Sequence, residues 1–321
     1  MKYFLSLIVL ILLGVSNAQA LDETILGVGV PYVPSSENIL SSDDFVASII
    51  RSNIGYGLVR KDKEGNIELE IASSVDLSNQ NRVYTFELKD NILFSNGDEL
   101  SAKDVKNSFV FWMEKFKDKS KRLNDVVERV DVVVAGRTYY KKQKNKVRFV
   151  LKNPESDFLE LLSNFPILHS ELMSSFGSMS GYGTMYSLLG PYQVRSSKDK
   201  EVVELERSRD FYRTGYPRSG VVSFKVFEDA PSALSALRVG SVDIIALPSQ
   251  ELLDGIEQDD TLVSYDAPAS ILQSFKVPRA YWSDSSRQDD KFVTNKIIVR
   301  KSLKFDSRFF SNFDVSGTFL P

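Results

Sequence analysis

Apolar and polar positions alternate with different periods along this chain, and each change of period marks an element. Residues 24–30 form a short apolar run containing two glycines, read as a strand, and Pro31, Pro34, Ser35, Ser36 and Asn38 follow as a loop. Asp44 to Ile54 reads as a helix, and Leu58, Val59 and Arg60 as a strand entering the polar turn 61–66. Tyr84, Phe86 and Leu88 alternate with Thr85, Glu87 and Lys89, the two-residue period of a half-buried strand. Asn96-Gly97 is a tight-turn dipeptide, since both residues tolerate positive φ. Ser101 and Asp104 then have the spacing of a capping box. Val105, Phe109, Trp112 and Phe116 place one apolar stripe on a helix running to about Lys117.

Further strands are expected where Val147, Phe149 and Leu151 alternate with polar residues, and likewise at Val203–Leu205, Phe224–Val226 and Val242–Ile245. A short helix spans Asp157 to Ser163, and Ser174 to Tyr186 is a loop rich in Ser, Gly, Met and Tyr. Asp229 is a natural N-cap for a helix carrying Leu234 and Leu237, with Gly240 as its stop. After Val277 polar residues dominate until an apolar patch from Phe292 to Val299. Strands and helices are interleaved, so the fold class is α/β or α+β with mixed sheets.

The first twenty residues fit none of these elements. Lys2 precedes an apolar run from Phe4 to Val15, and Ala18-Gln19-Ala20 has the small-x-small pattern of a cleavage site. The run is too short for a stable membrane span, so residues 1–20 read as a secretory signal removed after Ala20. No later stretch reaches membrane-span length, and stable membrane insertion is not expected.

Composition narrows the chemistry. The 321 residues carry no cysteine, which excludes disulfides, thiolate metal sites, a thiol nucleophile and lipid attachment at a cysteine. Cleavage after Ala20 removes only Lys2 among the charges, leaving 39 basic residues against 43 acidic ones. A mildly acidic chain with scattered charge is a poor ligand for nucleic acid. The one histidine, His169, is followed directly by Ser170 and Glu171, and consecutive residues do not converge as a catalytic triad. Asp43-Asp44, Asp259-Asp260 and Asp289-Asp290 read as solvated pairs without calcium-loop or zinc spacing. Gly27-Val28-Gly29 begins like a dinucleotide fingerprint, but Tyr32 stands where its third glycine belongs. The lysines at 141, 142, 144 and 146 read as a solvated loop. Neither an enzyme nor a cofactor is expected.

The run from Tyr84 to Val105 resembles the signature of the family 5 extracellular solute-binding proteins. In that family Tyr-x-Phe-x-Leu is followed by apolar-x-Phe-x-x-Gly and then Ala-x-Asp-Val. Similar motifs recur in order at Gly57-Leu58-Val59, Val147 to Leu162, Gly190-Pro191-Tyr192, Ala236 to Asp243 and Val299-Arg300-Lys301-Ser302-Leu303. The resemblance implies a periplasmic binding protein of the two-lobed, type II-like kind, serving an ABC importer for peptides or another small solute. Its partners would be the solute and the permease's transmembrane subunits.

Carried over, the first lobe is residues 21–57 plus 186–272, the inserted subdomain is 58–185, and 273–321 is the hinge crossing and a stub of the second lobe. Val299–Leu303 would open a helix in that lobe. The family's Leu-Asp-Pro is replaced by Tyr32-Val33-Pro34-Ser35-Ser36, and Glu70-Ile71-Ala72-Ser73-Ser74 lacks the family's tryptophan. The second-lobe segment carrying the aspartate for a peptide's amino terminus has no counterpart before Pro321. The expectation is therefore a truncated chain with impaired capture; the alternative is a degenerate single-lobe interaction protein. Ligand contacts from this lobe are expected at Tyr32, Pro34, Ser41 and Ser42, with Gln273 and Ser274 at the crossing. Phe94, Gly97, Val105 and Trp112 are expected to be core and turn residues.

Overall fold

The computed structural model describes residues 25–34, 39–40, 42, 44–62, 65–133, 145–175, 188–198, 201–217, 219–246, 250–254, 256, 259–266 and 296–300. In chain order the strands are β1 (Ile25–Val30), β2 (Val59–Lys61), β3 (Ile67–Leu69), β4 (Ala72–Ser78), β5 (Val83–Leu88), β6 (Val127–Val133) and β7 (Lys146–Leu151), then β8 (Tyr192–Lys198), β9 (Val202–Arg207), β10 (Val221–Val226), β11 (Ile244–Ala246), β12 (Leu262–Asp266) and β13 (Lys296–Arg300). The helices are α1 (Phe45–Ile54), α2 (Ala102–Lys115), α3 (Lys121–Val126), α4 (Phe158–Leu162), α5 (Ser170–Ser175), α6 (Ala230–Val239) and α7 (Gln250–Asp254).

The main sheet has seven strands in the order β12-β13-β11-β1-β10-β9-β8. β1 pairs in parallel with β10 on one side, Val28 opposite Phe224, and with β11 on the other, Val28 opposite Ile244. The remaining pairs of this sheet are antiparallel. Buried between two parallel neighbours, β1 has the burial of a central strand from Leu26 to Val30. Asp243 ties down its start: the Gly27 N–H donates to Asp243 Oδ2 at 2.9 Å, and the Asp243 N–H donates to the Gly27 carbonyl at 2.8 Å.

One expectation is corrected in this sheet. The resemblance implies a helix opening at Val299. Lys296–Arg300 is a strand of the main sheet, between β11 and β12, with Val299 opposite both Ile244 and Val263. Ile297, Ile298 and Val299 are consecutive β-branched residues, which favour extended backbone over a helix.

The chain between β1's helix and β8 builds a four-stranded antiparallel sheet, β4-β5-β7-β6, and the hairpin β2-β3. Tyr84, Phe86 and Leu88 point inward as their alternation requires, and Phe149 packs edge-on to Phe86 and Phe109 at 5.7 and 4.8 Å. The other face carries opposed charges, with Glu87 paired to Lys146 at 3.2 Å and Asp131 opposite Arg148. α2 covers the inner face with Val105, Phe109 and Trp112, and the indole N–H donates to the Pro166 carbonyl at 2.9 Å. At its start the Asp104 carboxylate accepts from the Ser101 N–H at 2.9 Å and the Ser101 hydroxyl at 2.6 Å. The preceding turn has Gly97 at φ 89°, and Phe94 is buried beneath it.

Packing does not stop at the expected subdomain boundaries. One apolar cluster runs from Val28 and Phe224 of the main sheet through Ile54 and Leu188 to Phe86 and Trp112; a second, smaller one lies under α6 and α7. Gly190 sits at the seam. Its N–H donates to the Ile54 carbonyl at 3.0 Å, and a Cβ there would lie 2.3 Å from the Ile54 carbonyl carbon.

A polar joint closes the same seam. Glu70 is 1% exposed, and both its carboxylate oxygens lie 2.5 Å from Arg213 Nη2, with Arg60 Nε at 2.8 Å. The Arg213 guanidinium lies over the rings of Tyr56 and Tyr212 at 5.7 and 5.6 Å, and the Lys89 ammonium lies 5.6 Å from the Tyr212 ring. Burial pushes the Glu70 carboxyl above the usual carboxylate range, and Arg213, Arg60 and Lys89 offset this only in part.

Candidate functional site

β1, β10 and β11 run in the same direction, so their carboxyl ends share one edge of the main sheet. In open sheets of this kind, the crevice outside the carboxyl ends of parallel strands is where ligands are bound, because the connecting loops diverge there. Two of the helices that start at this edge are capped by aspartates. α6 begins four residues after β10, capped by Asp229, whose Oδ1 accepts from the Ser232 N–H at 2.7 Å. α1 is capped by Asp44, whose Oδ1 accepts from the Ala47 N–H at 2.9 Å.

Tyr32, just after β1, and Asp44, at the start of α1, meet at this edge. Tyr32 leaves β1 half-buried, and its hydroxyl donates to Asp44 Oδ1 at 2.5 Å. That bond brings the cap of α1 within one side chain of the end of β1. Ser42 Oγ accepts from the Asp44 N–H at 3.0 Å. Ile39 and Leu40 are fully buried and anchor the loop to the core, and Pro34 is also buried. Beside Tyr32, the Phe227 N–H donates to the Val30 carbonyl at 3.2 Å, and the Phe227 ring lies 3.2 Å from where a Cβ on Gly29 would stand. The surface here combines an aromatic hydroxyl, a carboxylate, a serine hydroxyl and backbone polar groups. It suits adaptable hydrogen bonding to a small polar solute.

Of the six residues singled out from sequence, Tyr32 and Ser42 meet around Asp44, whereas Pro34 is packed inward. Ser41, Gln273 and Ser274 lie outside the described residues. Asp44 corrects an expectation, since it is half-buried and bonded rather than a solvated partner of Asp43. Its position directly before the apolar run of α1 is an N-cap signal that was open to reading. Asp259 is likewise bonded, to the Thr261 hydroxyl at 2.6 Å and Arg238 Nε at 2.8 Å.

His169 is remote from this edge and plays a packing role. It is buried against Phe94 with ring centroids 4.9 Å apart, and Nε2 lies 3.0 Å from Asp98 Oδ2 at the Asn96-Gly97 turn. Among the described residues, no three acidic or imidazole side chains converge as a metal set, and no helix is long and apolar enough to cross a membrane.

Residues 66–301 match the family described as bacterial extracellular solute-binding proteins, family 5 Middle. The chain belongs to that family. Among family 5 relatives, a dipeptide-binding protein of Lactococcus lactis subsp. cremoris is 24% identical over 301 residues, covering 84% of this chain and 53% of that protein. The oligopeptide-binding protein AppA of Bacillus subtilis, solved with a nonapeptide, superposes with a TM-score of 0.63 at 23% identity, over 76% of this chain and 48% of AppA. NikZ of Campylobacter jejuni, solved with Ni(L-His), gives a TM-score of 0.63 at 23% identity, over 77% of this chain and 48% of NikZ. The chain therefore spans about half the length of the family 5 proteins it matches, and the shared fold is that of periplasmic binding proteins.

Proposed function

We propose that this protein is the solute-binding component of an ABC importer, exported to the periplasm by its first twenty residues, and that it takes up short peptides without chemistry. The observation that carries this reading is the convergence of Tyr32, Ser42 and Asp44 at the carboxyl edge of β1, within a family 5 chain. Peptide is favoured as the solute because relatives named for dipeptides and oligopeptides match it over 84% and 70% of its length. An extended peptide can be held through its own backbone hydrogen bonds, leaving the pocket tolerant of side chains. Delivery is to the transmembrane subunits of a permease, after closure about a hinge. Gln273 and Ser274 join the site from the crossing segment in this reading.

Calorimetric titration of the protein with mixed di- to pentapeptides tests the proposal. Saturable heat is expected, and Tyr32→Ala should weaken binding about tenfold, roughly 1.4 kcal/mol. Heat with nickel–histidine or sugar acids but none with peptides would replace peptide by another solute. Binding unchanged in the Tyr32→Ala protein would move the site elsewhere.

A further inference from the structure

One side chain reaches the residues of the proposed site from the helix behind them. Arg51, in the last turn of α1, donates through Nη1 to the Ile39 carbonyl at 2.8 Å and to the Ser42 carbonyl at 2.7 Å. Its Nη2 donates to Ser48 Oγ at 2.8 Å, which fixes the guanidinium plane against α1. A single nitrogen thus meets two loop carbonyls three residues apart. Ser42 is the residue whose hydroxyl accepts from the Asp44 N–H, and Asp44 in turn holds Tyr32. The chain of contacts runs Arg51, Ser42, Asp44, Tyr32.

We propose that Arg51 is the positioning residue of this site: its guanidinium sets the places of Ile39, Ser42 and Asp44 before any solute arrives. The inference rests on the solute-binding reading for its functional consequence, but its structural half stands alone. Preorganisation of this kind raises affinity because the loop loses less freedom on binding. The role is separable from fold stability. Ile39 and Leu40 keep the loop docked by burial, and the Arg51 carbonyl caps α1 through the Gly55 N–H at 2.9 Å, a contact any residue at 51 retains. Lysine is no substitute, because a point-charge ammonium lacks the planar fork that serves Ser48 and the two carbonyls together.

Amide hydrogen exchange on the full chain, alongside thermal melting and titration with the peptide mixture, tests this with Arg51→Ala and Arg51→Lys. In Arg51→Ala the Asp44 and Ala47 amides should exchange about tenfold faster, with β1 and α2 protected as before and peptide affinity about tenfold lower. Arg51→Lys should be intermediate in both. Unchanged exchange at Asp44 and Ala47 overturns the proposal, whatever the affinity does. So does faster exchange throughout the chain in both variants, which would make Arg51 a general stabiliser; if only Arg51→Ala unfolds, Arg51→Lys decides by the same local amides. Should the unaltered protein bind no peptide, the solute reading fails and the exchange comparison alone decides the role of Arg51.

Discussion

Asp259 shows how strongly a few bonds can hold one carboxylate in its charged form. The Thr261 hydroxyl, together with Arg238 Nε and the Thr261 N–H, holds its carboxyl down to about 2. The stability this contributes is present above the unfolded carboxylate value and is lost as pH falls through about 2. Thr261→Val removes the first of these donors, so NMR titration should find the Asp259 midpoint shifted upward toward the ordinary range; an unmoved midpoint would discount the hydroxyl. At this scale the sequence was partly legible. The N-cap role of Asp229 and the turn at Gly97 follow from residue type and spacing alone. The Tyr32 bond to Asp44 and the Arg238 bond to Asp259 do not, because those partners lie twelve and twenty-one residues away.

Elements were readable where the side-chain period is unbroken. β5 and α2 are the clear cases, with buried positions at spacings of two and of three or four. β6 and β8 escaped because each carries a bulge, between Val127 and Arg129 and between Val194 and Ser196, which shifts the inward positions by one residue. In β6 the buried residues are Val127 and Val130, three apart, a spacing that does not announce a strand. β4 escaped for another reason: its sequence Ala-Ser-Ser-Val-Asp-Leu-Ser lies at a sheet edge and buries only Ala72. How elements meet is equally specific. Gly190 lets the chain entering β8 touch the end of α1, so Gly190→Ala forces backbone apart at a 2.3 Å contact. A loss of about 1–3 kcal/mol or more is expected, seen as a lower urea midpoint with an unchanged slope. A midpoint equal to that of the unaltered protein would mean the seam can widen freely.

At the scale of the whole molecule, charge and aromatic surface meet at a polar joint around Glu70. Arg213 comes from the segment after β9, whereas Glu70, Arg60 and Lys89 come from the region of β2 to β5, so the joint ties distant parts of the chain together. Truncating Arg213 leaves a carboxylate that is 1% exposed without its main counter-ion, a change that typically costs about 3–5 kcal/mol. The pH dependence has a definite sign. Burial already raises the Glu70 value, and loss of Arg213 raises it further, so stability present below the unfolded value falls as pH rises through the folded one. Urea unfolding of Arg213→Ala should therefore show a larger deficit at neutral pH than near pH 4.5; a deficit that grows on acidification would contradict this account.

The place of β1 in the main sheet also governs the order in which the molecule can be made. Among the described strands this one is made first, yet Val28 must wait for Phe224 and Ile244 before its two edges are satisfied. Contacts that span some two hundred residues close slowly, because the intervening chain has to be threaded into place first. The centre of the sheet is thus completed only after Ile244 has been made, and until then the growing chain stays loose and unlocked.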